Sequence, residues 1–155
     1  MNKKSFLLII AVMLIVLIFS GCTEFINQRK NLEKCKFEID SAKLGKLSLN
    51  GIDLKLKINI TNPNNTKVIV DRFDYEVFAN EKYLGTGSNK EKFNIAANGS
   101  YVFNTTLFLG FNNLGSFIKE LINKDEVEYK VKGMFYIDTP LGTIKYPVEI
   151  TKIEK

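Results

Sequence analysis

The chain has 155 residues, of which 45% are hydrophobic and 25% charged, and its formal net charge is +5. This composition excludes a disordered or collagen-like chain and provides enough apolar surface for one packed domain. The chain contains no histidine, which excludes histidine-based acid–base catalysis and imidazole metal sites, and we expect neither a metal nor a cofactor.

The N-terminus has the features of an export signal. Two lysines precede an apolar run from Phe6 to Phe19, and Ser20-Gly21-Cys22 follows. This run of 14 residues is short for a bilayer crossing, which takes about 20 residues, and is typical of a secretory signal peptide. The ending resembles the lipobox of prokaryotic lipoproteins, although Phe19 stands where leucine is usual. We expect residues 1–21 to be removed and Cys22 to carry a lipid; the alternative is an uncleaved signal anchor with Cys22 as an ordinary thiol.

Cleavage would leave 134 residues with a net charge of +3, because residues 1–21 contain two lysines and no acidic residue. We expect residues 22–35 to form the lipidated N-terminus and a polar tether, and residues 36–155 to form the domain. With Cys22 lipidated, Cys35 is expected to be a small buried hydrophobe; otherwise the two cysteines could form a disulfide. We expect attachment to the extracytoplasmic face of the cell membrane and an unidentified protein or envelope partner. Scattered basic residues indicate no nucleic-acid partner.

Apolar and polar residues mostly alternate from Phe37 onward, which is typical of half-buried antiparallel strands. Leu54 to Ile60 is the clearest strand, and Asn50-Gly51 predicts a turn before it. Further turns are predicted at 79–82, 97–99 and 139–142, and glycines 85 and 87 predict a twisted or bulged return strand. The long alternating segments on either side of the turn at 139–142 predict a hairpin.

One segment departs from this pattern. Leu114, Phe117, Ile118 and Leu121 have helical spacing, so residues 113–123 predict a short amphipathic helix, capped by Asn113, that closes one end of the domain. About seven short strands with turns between them predict an all-β fold. We expect an antiparallel β-sandwich of immunoglobulin or fibronectin type III architecture with this one helix.

The segment from Leu54 to Gly87 resembles the atypical type 2 late embryogenesis abundant family, also called the water-stress and hypersensitive-response domain. Its features are a strand, the corner Asn62-Pro63-Asn64, a second strand around Val68 to Val77, and the return Tyr83-Leu84-Gly85-Thr86-Gly87. The likeness extends over residues 36–152 and implies the sandwich fold with one helix, a role in water stress, and no catalytic residues. We expect this domain to be part of a prokaryotic, archaeal lipoprotein. Proline restricts its neighbours and asparagine tolerates turns, so we expect the corner to be structural.

The side chains offer little for catalysis. Asp71 and Asp74 are three residues apart, a spacing that more often gives a solvated strand edge than a site, and no serine or threonine has a candidate base. We therefore predict that the protein is not an enzyme. Four Asn-x-Ser/Thr sequons are candidate N-glycosylation sites in an exported protein. They are Asn59, Asn64, Asn98 and Asn104, of which Asn64 and Asn98 fall in predicted turns.

Three functions remain open. The first is a membrane-tethered, non-catalytic domain that binds or protects other molecules during water or desiccation stress. The second is a structural or adhesion module with a dedicated partner in a cell-surface assembly, which a large exposed apolar patch would favour. The third is an accessory protein or hydrolase, which a deep pocket with convergent polar groups would favour.

Overall fold

The alternating segments form nine strands in the computed structural model, which describes residues 10, 12–13, 27–111, 117–118, 121–123, 126–139 and 142–154. In chain order they are β1 (Lys36–Leu47), β2 (Gly51–Asn62), β3 (Val68–Val70), β4 (Arg72–Ala79), β5 (Lys82–Asn89), β6 (Phe93–Ile95), β7 (Gly99–Gly110), β8 (Val127–Thr139) and β9 (Gly142–Glu154). The predicted all-β class is confirmed. The strand count over these ranges exceeds the predicted seven. The single strand predicted around Val68 to Val77 is divided into β3 and β4, which pair in different sheets, and β6 is too short to show an alternating pattern.

Every strand pair is antiparallel. Three strands form a sheet in the order β1-β2-β7, four form a sheet in the order β5-β4-β8-β9, and β3 pairs with β6. The β8–β9 pairing confirms the predicted hairpin, although residues 140–141 of its turn lie outside the described residues.

The core lies between the two larger sheets, where the inward residues of each strand are buried. Phe73 of β4 stacks on Phe135 of β8, with ring centroids 4.2 Å apart, and meets the edge of Phe103 of β7 at 5.4 Å. Burial of each large apolar side chain contributes about 1.5–3 kcal/mol. Aromatic packing thus joins the three-stranded sheet to the four-stranded sheet.

Two of the predicted turns have the backbone angles that their residues favour. Asn80, Glu81 and Asn98 have positive φ angles of 45°, 64° and 52°, as the predicted turns at 79–82 and 97–99 require. The pairing of β4 with β5 shifts between Val77 and Phe78. This irregularity lies opposite Gly85 and confirms the predicted bulge in the return strand.

A helix precedes the first strand. Residues 27–34 form this helix, α1, and its Leu32 side chain is fully buried. Asn31 of α1 contacts the loop that follows β2, so α1 covers the end of the core where β1 begins. The folded domain therefore includes residues 27–35, which the polar sequence pattern predicts to be part of the tether.

The opposite end of the core is covered by the second helical segment, α2, of which residues 117–118 and 121–123 are described. Phe117, Ile118 and Leu121 are buried, as their spacing predicts. The Lys82 ammonium lies 4.6 Å from the centre of the Phe117 ring, beside the β4–β5 turn. Asn113, the predicted cap, lies outside the described residues.

The predicted export signal cannot be compared with the fold, because Cys22 and most of residues 1–26 lie outside the described residues. In the part of the chain that is described, no helix combines the length and the apolar character needed to cross a membrane.

Candidate functional site

The predicted corner is the centre of a polar network. Asn62, the last residue of β2, is completely buried, and its side-chain nitrogen donates to the carbonyl oxygens of Thr66 at 2.9 Å, Ile95 at 3.2 Å and Ala96 at 2.9 Å. Its side-chain oxygen accepts the backbone N–H of Asn64 at 3.0 Å. One buried amide therefore satisfies backbone groups from two separate loops, as buried polar groups require.

The same corner holds α1 on the domain. The Asn64 side chain donates to the carbonyl oxygen of Asn31 at 2.8 Å, and the Asn31 side chain donates to the Thr66 hydroxyl at 2.8 Å. Both contacts involve the last turn of α1, next to the buried Leu32. The corner thus fixes where the N-terminal segment leaves the domain.

Cys35 follows α1 and is buried against this network. Its thiol donates to the carbonyl oxygen of Asn31 at 3.3 Å and lies 3.9 Å from the side-chain oxygen of Asn62. Burial raises the pKa of the Cys35 thiol to about 11. The thiol is therefore protonated at neutral pH and is a poor nucleophile, so it does not supply a reactive group to the corner.

The four candidate glycosylation sites differ in exposure. Asn64 is only 7% exposed and its amide has acceptors in the protein, whereas Asn98 and Asn104 are exposed and Asn59 is half-buried. Asn59 and Asn104 lie on adjacent strands of the three-stranded sheet. Glycosylation at each stays a prediction; in the folded chain Asn64 is the least accessible of the four.

The two carboxylates noted in the sequence are not brought together. Asp71 binds the Lys92 ammonium at 2.6 Å and accepts the backbone N–H of Asp138 at 2.7 Å. Asp74 instead accepts the Ser88 hydroxyl at 2.6 Å. Across the described ranges, no three His, Cys, Asp or Glu side chains form a group suited to a metal ion.

Two shallow cavities lie on the four-stranded sheet. The larger, about 560 Å³, lies against β4, β5, β8 and β9 and is lined partly by Met134, Pro147 and Val148. The smaller, about 420 Å³, lies beside Tyr136, and the Arg72 guanidinium is 3.8 Å from the centre of that ring. The lining residues offer apolar contacts, ion pairs and cation–π contacts rather than a paired nucleophile and base.

Three large apolar side chains are exposed at the end of the three-stranded sheet that carries the β1–β2 turn. We call Leu47, Leu49 and Phe108 the apolar tip; Leu49 is 97% exposed. The Ser48 hydroxyl donates to the Gly51 carbonyl oxygen at 2.9 Å and accepts the Gly51 N–H at 3.2 Å, which orders the turn. A Cβ on Gly51 would lie 2.7 Å from the Phe108 ring, so that ring packs over the turn. The alternating pattern does not predict this surface; its only signal in the sequence is that Leu47 and Leu49 break the alternation.

Comparisons with known proteins agree with this architecture. Two solution structures are similar in fold. The first, AT1g01470 from Arabidopsis thaliana, has 13% sequence identity and a TM-score of 0.60, and the match covers 77% of this chain and 80% of that chain. The second, At2g46140.1, described as a late embryogenesis abundant (LEA) protein, has 16% identity and a TM-score of 0.57, and the match covers 94% of this chain and 84% of that chain. A search of curated proteins gives no match. The family model LEA_2, late embryogenesis abundant protein, matches residues 57–152. The chain therefore belongs to the late embryogenesis abundant family that this model describes.

Proposed function

We propose that this protein is a membrane-tethered, extracytoplasmic domain that protects membranes or neighbouring proteins during water or desiccation stress, without catalysis. Family membership over residues 57–152 carries this proposal, because the family indicates a stress-related, non-catalytic domain. The chemistry of the described side chains is consistent with it: the corner is held by internal hydrogen bonds, and its one thiol is protonated.

The tether is supported by the sequence and by the position of α1. A charged start, a short apolar run and Ser20-Gly21-Cys22 favour lipid attachment to Cys22 and an archaeal-type lipoprotein. Four residues lie between Cys22 and residue 27, where the described part of α1 begins. The five residue steps limit that distance to about 18 Å even when extended. A domain held so close to a bilayer gains from effective concentration, so weak contacts suffice for protection.

We also propose that the two larger sheets form a sandwich of the fibronectin type III or immunoglobulin kind. The sheet orders β1-β2-β7 and β5-β4-β8-β9 support it, as does the contact between Phe73 and Phe103 across the core. Such sandwiches present loops and sheet faces for binding while the core carries the stability.

The protective function is tested in the source cells with the full-length gene. Cell survival and membrane leakage are compared after drying or osmotic shock in wild type, a deletion strain and a Cys22→Ser strain. We expect the deletion to increase leakage, and we expect Cys22→Ser to reproduce much of that increase where fractionation finds the domain released from the membrane. An unprocessed chain that stays inserted should protect like wild type. Intact-mass analysis of membrane-extracted protein reports whether the lipid is present. Equal survival of all three strains would overturn the protective role.

The apolar tip favours one alternative, a surface module with a dedicated protein partner. An ordered turn that exposes Leu47, Leu49 and Phe108 resembles the centre of a small binding interface more than a solvated loop. Under this alternative, Leu49→Ser with Phe108→Ser abolishes recovery of one partner after cross-linking in cells. The matched control is Val102→Ser, since Val102 is also exposed on β7 but lies away from the tip. Unchanged cross-links in the double variant would contradict the partner-binding role.

A further inference from the structure

The net positive charge of the mature chain is concentrated at the end covered by α1. The segments 27–36 and 62–67, which contact each other through Asn31, Asn64 and Thr66, contain five basic residues and one acidic residue, a net charge of +4. The chain after residue 21 carries +3 in total. All its other residues together therefore sum to −1.

The basic residues at this end are accessible. Lys30, Lys34, Lys36 and Lys67 are all exposed, and no carboxylate among the described residues forms an ion pair with them. Arg29 differs, because its guanidinium pairs with Glu33 at 3.2 Å within α1. Lys30 and Lys34 are four residues apart, so they project from the same side of α1. We call these four lysines the basic footprint.

We infer that the basic footprint rests on anionic lipid headgroups. This inference relies on the proposed membrane attachment, because the short segment between residue 22 and α1 keeps this end of the domain beside the bilayer. The anionic surface of a bilayer attracts lysines within a Debye length, about 10 Å at 0.1 M salt. Attachment at one point and charge at the same end would fix the orientation of the domain, with the apolar tip facing away from the bilayer.

The test uses the membrane-extracted full-length product, reconstituted in vesicles of phosphatidylcholine alone or mixed with phosphatidylglycerol. Lysines are acetylated with a water-soluble reagent, and modification at each lysine is followed by mass spectrometry. We expect acetylation of the basic footprint to slow several-fold in the phosphatidylglycerol vesicles. Lys43, Lys46 and Lys55, exposed near the apolar tip, serve as internal controls with unchanged rates. Protection should disappear at 1 M salt, where the Debye length is about 3 Å.

Charge-reversal variants provide a second test of the basic footprint. Lys30→Glu with Lys34→Glu should abolish the protection of Lys36 and Lys67, whereas Lys43→Glu with Lys46→Glu should leave it intact; all four positions are exposed, so the fold tolerates both pairs. Equal acetylation of the footprint in both kinds of vesicle would overturn the inference. Intact-mass analysis shows whether the chain carries the lipid or is uncleaved. An uncleaved chain stays inserted through its apolar run, so its lysines can still be compared. A footprint that does not bind lipid is thereby distinguished from a missing lipid anchor.

Discussion

The hydroxyl of Tyr75 occupies the space in which a side chain on Gly87 would begin. A Cβ at residue 87 would lie 2.2 Å from the Tyr75 oxygen and 2.3 Å from Cζ, and the two residues are directly paired between β4 and β5. The same hydroxyl is 2.5 Å from the Thr105 hydroxyl on β7. The absence of a side chain at Gly87 therefore lets Tyr75 make a polar contact with the opposite sheet.

We expect Gly87→Ala to lower the free energy of unfolding by about 2–3 kcal/mol, because the new methyl group displaces the Tyr75 ring from a packed core. Urea denaturation of the variant and wild type measures the difference. Gly110→Ala is the matched control, since the nearest atom to a Cβ there is 3.9 Å away. Similar midpoints for both variants would show that the core accommodates the methyl group at residue 87.

We expect Asn62→Ala to cost about 3 kcal/mol of unfolding free energy. The variant leaves the Ile95 carbonyl oxygen and the Asn64 N–H without this partner in a buried site, and the Ala96 carbonyl oxygen keeps only the Gly99 N–H. Thermal and urea unfolding measure this loss. Asn65→Ala should cost less than about 0.5 kcal/mol, since Asn65 is exposed and accepts one long bond at 3.3 Å from Asn98. If the two variants had equal stability, the corner network would not contribute to the fold.

Local patterns were sufficient to predict most strands and turns. The alternation from Leu54 to Ile60 has a period that only a strand satisfies, and Asn80 and Asn98 adopt the positive φ angles that asparagine tolerates. The corner at Asn62 was predicted as a turn for the same reason. Its role as a buried hub was not, because its acceptors at Ile95 and Ala96 are more than 30 residues away in sequence.

The N-terminal part of the domain shows the limit of such patterns. Residues 27–34 are almost entirely polar, and a single leucine gives no helical period. Leu32 is buried because α1 covers the end of the core, where the Asn64 side chain donates a hydrogen bond to the Asn31 carbonyl oxygen and holds the helix. The apolar tip was missed similarly, since exposure of Leu49 depends on how Ser48 closes the turn.

We expect Leu32→Ala to detach α1 from the domain. Removal of a fully buried leucine costs about 3 kcal/mol, which exceeds what the remaining hydrogen bonds of Asn31 contribute. Limited proteolysis of the full chain should then cut within residues 27–35 several-fold faster, while cleavage within the strands is unchanged. Glu33→Ala, on the exposed side of α1, is the control and should behave as wild type. Equal cleavage of the three proteins would contradict a docked α1.

The reactivity of Cys35 should depend on pH in a way that reports its burial. Burial raises the pKa of this thiol from its ordinary value of 9.0 to about 11. In a Cys22→Ser background, where Cys35 is the sole thiol, we expect a disulfide reagent to react slowly with the folded protein at pH 8 and rapidly after denaturation.

Because the pKa of Cys35 is higher in the folded state than in the unfolded state, the stability linked to the protonated thiol is fully present below about pH 9. It is lost as pH rises through about 11. The unfolding midpoint of the Cys22→Ser protein should therefore fall over this window more than that of a variant that also carries Cys35→Ala. Equal reaction rates in the folded and denatured states at pH 8, or parallel midpoints across the window, would show that the thiol is open to solvent and that α1 does not cover it.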